Sequence, residues 1–208
     1  MPDTDRTARG YDTVRTLRRW LSFFRNRRPI AQEADATGTP VPDPWPEEPR
    51  GTPLLWCHAD NTEDLEPLAG LLHRLREEAD ALEFLLTSRG ALSNKVLAER
   101  FPDGVASVNG PSEDPAVIQR FLKRRRPDVC LWVGGSYAPN LIAETVGSGI
   151  PLINVNARFP NNIWRRARVA RRSLRQLMEK FQAIYPLDAL SHEGLLKFGL
   201  PDGLVRNA

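Results

Sequence analysis

The sequence predicts a doubly wound α/β fold with a Rossmann-like parallel sheet of about six strands. Three observations carry that expectation. From residue 54 onward, apolar runs of strand length alternate with amphipathic helical stripes. The stretch 127–158, PDVCLWVGGSYAPNLIAETVGSGIPLINVNAR, reads as strand, glycine turn, helix and strand. Such a βαβ unit demands parallel strands joined by a right-handed crossover. Finally, no apolar run approaches the roughly twenty residues of a spanning helix, so these segments are core elements of a globular domain.

The elements follow in order. Residues 1–30 form an arm in which Tyr11, Val14, Leu17, Leu21 and Phe24 share one helical stripe, with Trp20 and Phe23 beside it. Arg15, Arg18, Arg19, Arg25, Arg27 and Arg28 charge it, and no acid stands between Asp12 and Glu33. A basic amphipathic helix with aromatics suits an anionic membrane surface, with Trp20, Phe23, Phe24, Arg18 and Arg19 as the contacts. It equally suits a helix docked on its own domain with its arginines solvated. Residues 31–52 are a linker holding Pro40, Pro42, Pro44, Pro46 and Pro49, extended and semi-rigid.

The folded domain spans 53–208. Strands are predicted at 54–58, 83–87, 105–108, 128–133, 151–155 and 181–185, and helices at 63–79, 91–101, 115–125, 139–148, 161–180 and 187–198. Asn61 or Thr62 caps the first helix, whose opening turn holds Glu63, Asp64 and Glu66, and Leu65, Leu68, Leu71, Leu72 and Leu75 supply its inward stripe. Asp114 and Pro115 open the helix at 115–125 as cap and first residue.

The net charge of +3 is small but unevenly spread. The two cysteines, Cys57 and Cys130, fall inside predicted strands and read as core residues of a reducing compartment; with no signal peptide in view, a cytoplasmic location is expected. No G-x-G-x-x-G follows the first strand, and neither a P-loop nor a G-x-S-x-G elbow occurs, which argues against a dinucleotide cofactor, a P-loop nucleotide site and that hydrolase chemistry. The three histidines lack metal-ligand spacing, so neither metal nor cofactor is expected. Ligands of doubly wound sheets sit at the carboxyl ends of the strands. Those ends are His58–Asp64, Gly134–Asn140 and Asn156–Arg158. After them runs a basic series, Arg165, Arg166, Arg168, Arg171, Arg172 and Arg175, read as a solvated face or as a cradle for a phosphorylated ligand. With Trp164 the one aromatic interleaved there, nucleic acid is not an expected partner.

The pieces WCHADNTEDLEPL, RFLKRRRPDVCLWV and APNLIAETVGSGIPLINVNAR resemble the N-terminal domain of the 3-deoxy-D-manno-octulosonic acid (Kdo) transferases. The sharpest match is P-N-L-I-A, then G-I-P-L and N-A-R at the family's spacing. The resemblance covers roughly residues 53–199 and implies one lobe of a GT-B glycosyltransferase, the lobe that binds a lipid A-type phosphoglycolipid. CMP-Kdo would then be bound by a partner domain in trans, or by a full-length transferase with which the chain associates. The family's membrane-associating N-terminal segment agrees with the arm and implies a peripheral position on the inner face of the inner membrane.

The resemblance also places residues. The family's catalytic base, a glutamate six residues after the strand-end histidine, corresponds to Asp64, with Glu63 as the second candidate. Asn61, Ser136, Asn140, Asn156, Arg158, Arg165 and Arg166 become acceptor-binding candidates. Asp64 is one methylene shorter than that glutamate, and an ångström of misplacement costs about a hundredfold in rate. The family's E-T-E-L-W-P-N is Gly134–Asn140 here, without its two acids, and Pro160 replaces a serine. Two functions therefore stand: an acceptor lobe that works with a separate donor domain, or a catalytically inactive accessory protein of lipopolysaccharide assembly.

Overall fold

The computed structural model describes residues 51–79, 81–159 and 168–206. The arm at 1–30, most of the linker, and the candidates Trp20, Phe23, Phe24, Arg18, Arg19, Arg165 and Arg166 lie outside the described residues. Six parallel strands form one sheet: β1 (Leu54–Ala59), β2 (Glu83–Ser88), β3 (Val105–Asn109), β4 (Val129–Val133), β5 (Leu152–Ala157) and β6 (Ala183–Pro186). Their spatial order is β3-β2-β1-β4-β5-β6. The chain winds outward from the centre in both directions, so the order reverses between β1 and β4.

Every predicted strand is present. The first predicted helix is divided into α1 (Thr62–Leu65), a 3-10 turn (Glu66–Leu68) and α2 (Ala69–Glu78). Pro67 lies in that turn; it offers no amide hydrogen and its ring crowds the preceding turn, so a continuous α-helix cannot pass through it. The remaining helices are α3 (Asn94–Arg100), α4 (Pro115–Arg125), α5 (Pro139–Gly147), α6 (Arg168–Met178) and α7 (Ala189–Lys197). Ser93, Asp114 and Asp188 cap α3, α4 and α7 by accepting from backbone amides. Nothing on α5 caps it; Glu113 Oε2 accepts from Asn140 N at 3.1 Å instead, placing a carboxylate at the positive end of the helix dipole.

Two cores flank the sheet. Leu65, Leu68, Leu72 and Leu75 pack on one face with Leu55, Cys57, Leu86 and Leu131. Ile118, Phe121, Leu141, Ile142, Met178 and Leu195 pack on the other with Trp56, Cys130, Trp132 and Ile184. Burying a side chain of this size stabilises by about 1.5–3 kcal/mol, so the strands are specified by what they bury. Cys57 pairs with Leu131, and Trp56 with Cys130, so the two thiols leave neighbouring strands on opposite faces. Both are free and buried, and burial pushes both up from the ordinary thiol range.

Candidate active site

At the carboxyl edge of the sheet, the turn after β4 passes between two other rim segments. Gly134 has φ 85°, a left-handed conformation that glycine adopts without cost. A Cβ on it would lie 3.7 Å from the Asp64 carboxylate, so Asp64 rests directly over Gly134. A Cβ on Gly135 would stand 2.5 Å from the carbonyl oxygen of Arg158, an approach that only glycine permits. The paired glycines thus let β4 end in a turn tight enough to admit Asp64 on one side and Arg158 on the other.

Arg158 reaches this place through a distortion of β5. The register between β5 and β6 shifts between Asn154 and Ala157, and Asn156 inside that shift has φ 52°. A bulge re-aims the residues that follow it, and asparagine is among the few side chains that tolerate left-handed backbone. Asn156 was expected beyond the strand; it lies within β5, and its conformation turns the strand end toward the crevice. Arg158 Nη1 then stands 3.4 Å from Asp64 Oδ1. The Asp64 side chain is 21% exposed and that of Arg158 59%, so the carboxylate is sheltered while the cation stays reachable from solvent. A pair this exposed contributes at most about 1 kcal/mol to stability.

The other candidates are distributed around this pair. Glu63 is exposed and Asn61 occupies the cap position of α1 without a side-chain capping bond. Ser136 is exposed, with its carbonyl accepting from Trp132 Nε1 at 2.7 Å. Asn140 donates from Nδ2 to the Glu113 carbonyl at 2.9 Å, so its amide ties the β4–α5 turn to the segment before α4. Asp60 makes a two-pronged bond with Arg89, joining the ends of β1 and β2.

Sequence reasoning marked His58 as a strand end but missed the buried network around it. Trp56 Nε1 donates to Thr87 Oγ1 at 2.7 Å, and Thr87 Oγ1 is 2.8 Å from His58 Nδ1. The His58 ring lies 4.6 Å from that of Trp132 and 5.8 Å from that of Trp56. Burial drives His58 down to about 4, against a smaller opposing influence of Asp60, and so it is neutral near pH 7. In β5, Asn154 Nδ2 donates to the Gly134 carbonyl at 3.2 Å and pins the glycine turn from below. His58 thus joins the ends of β1 and β2 through Thr87, while Asn154 holds the glycine turn that lies between Asp64 and Arg158.

A family model described as 3-deoxy-D-manno-octulosonic-acid transferase (kdotransferase) matches residues 24–207. The chain belongs to the Kdo transferase family. A probable mitochondrial Kdo transferase of Arabidopsis thaliana is 28% identical over 156 residues, covering 70% of this chain and 35% of that protein. The Kdo transferase of Rickettsia prowazekii (strain Madrid E) is 24% identical, over 63% of this chain and 28% of its own length. The chain therefore spans about a third of the length of these Kdo transferases. Among solved structures, a putative UDP-N-acetylglucosamine 2-epimerase from Listeria monocytogenes aligns with a TM-score of 0.52 at 14% identity, over 74% of this chain and 44% of that one. That likeness is one of fold alone: a Rossmann-like α/β lobe, as the sequence predicted.

Proposed function

We propose that this Kdo transferase-family chain is an acceptor-binding lobe, holding a lipid A-type phosphoglycolipid while Kdo is delivered from CMP-Kdo bound on a partner domain. The observation that carries this reading is the meeting of Asp64 and Arg158 over Gly134. It occurs where the strand order reverses, the usual ligand position of this fold class. In the reaction, Asp64 takes the proton from the acceptor hydroxyl as its oxygen attacks the anomeric carbon of Kdo, and the bond to CMP breaks. Arg158 holds the Asp64 carboxylate in place and presents its remaining donors to an anionic group of the acceptor. Asn61, Ser136 and Asn156 border the acceptor, Arg165 and Arg166 extend its basic side, and the arm at 1–30 contacts the anionic inner face of the inner membrane.

A second reading, an accessory protein without turnover, is favoured by Gly134–Asn140, where the family's two acids are missing. One assay separates the two. The purified chain is given CMP-Kdo and a lipid A-type acceptor, alone and with the donor domain of a full-length transferase. Turnover in the mixture is expected to fall about a hundredfold or more in Asp64→Asn and to persist in Asp64→Glu. Equal turnover in wild type and Asp64→Asn would remove Asp64 from the chemistry, and acceptor binding without turnover would establish the accessory reading.

A further inference from the structure

His58 brings a second polar group to the carboxyl edge, on the face away from α1. The helix that carries Asp64 packs with the core of Leu65 and Leu72, whereas the His58 ring stands with Trp56 and Trp132 on the face that α4 and α5 cover. His58 in β1 is opposite Trp132 in β4, the pair of strands between which the order reverses. Two neighbours fix the ring. Trp132 lies beside it, and a Cβ on Gly110 would come within 3.3 Å of its Cε1, so the loop after β3 closes on the edge of the imidazole. Glu113 in the same loop holds both the amide and the side chain of Asn140, which ties the loop to the start of α5.

The hydrogen bonds of the ring decide its chemistry. Trp56 Nε1 has a hydrogen to give and no lone pair to receive one, so Thr87 Oγ1 accepts from it. Thr87 is fully buried, and among the described residues its own hydroxyl hydrogen has one acceptor in reach, His58 Nδ1 at 2.8 Å. A buried donor left without a partner is costly, so Thr87 donates and Nδ1 accepts. An imidazole that accepts at Nδ1 is neutral and carries its hydrogen on Nε2. That nitrogen makes no hydrogen bond among the described residues and is not one of their enclosed polar atoms without a partner, so it opens on the rim. Asp60, two residues on, is already paired with Arg89. An anion would lose its water against the tryptophan rings without gaining a cation, whereas an uncharged oxygen needs only the N–H.

We infer that His58 Nε2–H is a ligand-binding donor, oriented by the Trp56–Thr87 chain, and that it takes an uncharged oxygen of the acceptor, a hydroxyl or a carbonyl. The inference rests on the acceptor-lobe reading above and divides the work of that site. Arg158 meets an anionic group of the acceptor, and His58 meets a neutral one on the other face of the rim.

The test uses the full 208-residue chain with nitrogen-15-labelled histidine. It has three histidines, and His58→Gln identifies the His58 signals by their loss. In the free protein at pH 7 the ring hydrogen is expected on Nε2; a hydrogen on Nδ1 would overturn the inference before any ligand is added. A lipid A-type acceptor in detergent is expected to move the Nε2 signal of the wild-type chain, and inorganic phosphate to leave it in place. Acceptor affinity by calorimetric titration is expected to fall about three- to tenfold in His58→Leu and Thr87→Val, and to stay within about twofold in His58→Gln and Thr87→Ser, which keep an N–H and a hydroxyl. Circular dichroism checks the fold of each variant, and the wild-type spectra decide the matter should a variant not fold. Where turnover with a donor domain is measured, KM should rise in His58→Leu with kcat unchanged, a split that a general loosening of the site would not give. Acceptor binding by the wild type with an unmoved Nε2 signal and equal affinity in His58→Leu would overturn the inference and leave the acceptor-lobe reading intact. No acceptor binding by the wild type would end both, and a shift produced by phosphate alone would overturn the assignment to an uncharged oxygen.

Discussion

Left-handed backbone occurs at both edges of the sheet, for different reasons. At the amino edge, Arg126 directly follows α4, Gly149 and Gly199 stand one residue beyond the C-caps of α5 and α7, and Gly104 sits in the turn after α3. There the conformation ends a helix and lets the chain reverse, as it does in most proteins. At the carboxyl edge, Gly134 follows β4 and Asn156 lies one residue before the end of β5, where no helix needs closing. Their effect is to bring Asp64 and Arg158 within 3.4 Å. The same local geometry therefore serves chain reversal on one side and site construction on the other.

The strongest way to separate the two edges is pH, because the carboxyl edge carries a buried neutral histidine at the end of β1. His58 sits at about 4 in the folded chain against an ordinary value of 6.5. Between these values the unfolded chain takes up a proton that the folded chain refuses. The His58 contribution to stability is therefore intact above pH 6.5, declines as pH falls toward 4, and changes no further below that. The difference corresponds to about 3 kcal/mol. Urea unfolding from pH 7.5 to pH 4 is expected to reveal this decline in wild type and a shallower one in His58→Gln; parallel slopes would contradict it.

A smaller effect sharpens the comparison through glycine. Gly135→Ala drives a methyl group toward the Arg158 carbonyl and is expected to cost about 1–3 kcal/mol. Gly70→Ala, in α2 with open space around it, is expected to stabilise by up to about 1 kcal/mol. Thermal unfolding of the two variants should give shifts of opposite sign. The smallest effect lies at Asn156. Replacement by glycine is expected to leave stability nearly unchanged, whereas valine costs about 1–2 kcal/mol through its resistance to left-handed backbone. A crystal structure of Asn156→Val should show Arg158 withdrawn from Asp64; an intact pair would mean that the bulge does not aim it.

How much of this was legible in the sequence differs by kind of interaction. Five strands announced themselves because each is a short run largely buried on both faces, while β3 is only half-buried; α4 kept its predicted limits because Asp114 and Pro115 start it by local chemistry. The break at Pro67 was also local, but the leucine stripe continues across it and masked it. The extension of β5 through Ala157 and the bulge at Asn156 depend on pairing with β6, which no window around Asn156 contains. Asp64 and Arg158 were each marked as candidates, and their contact follows from strand order rather than from either neighbourhood. The adjacent glycines carried the available signal: two in succession at a strand end point to something packed closely against the backbone. His58 gave none, since its partner Thr87 belongs to another strand.

The placement of Cys57 and Cys130 has a practical consequence. Their side chains emerge on opposite sides of adjoining strands, so an intramolecular bridge would require dismantling the sheet, and oxidants have no route to cross-link the native domain from within. A thiol reagent added to the native chain becomes a clock for whole-domain opening: the rate at which the two sulfurs are modified reports how often the central strands come apart.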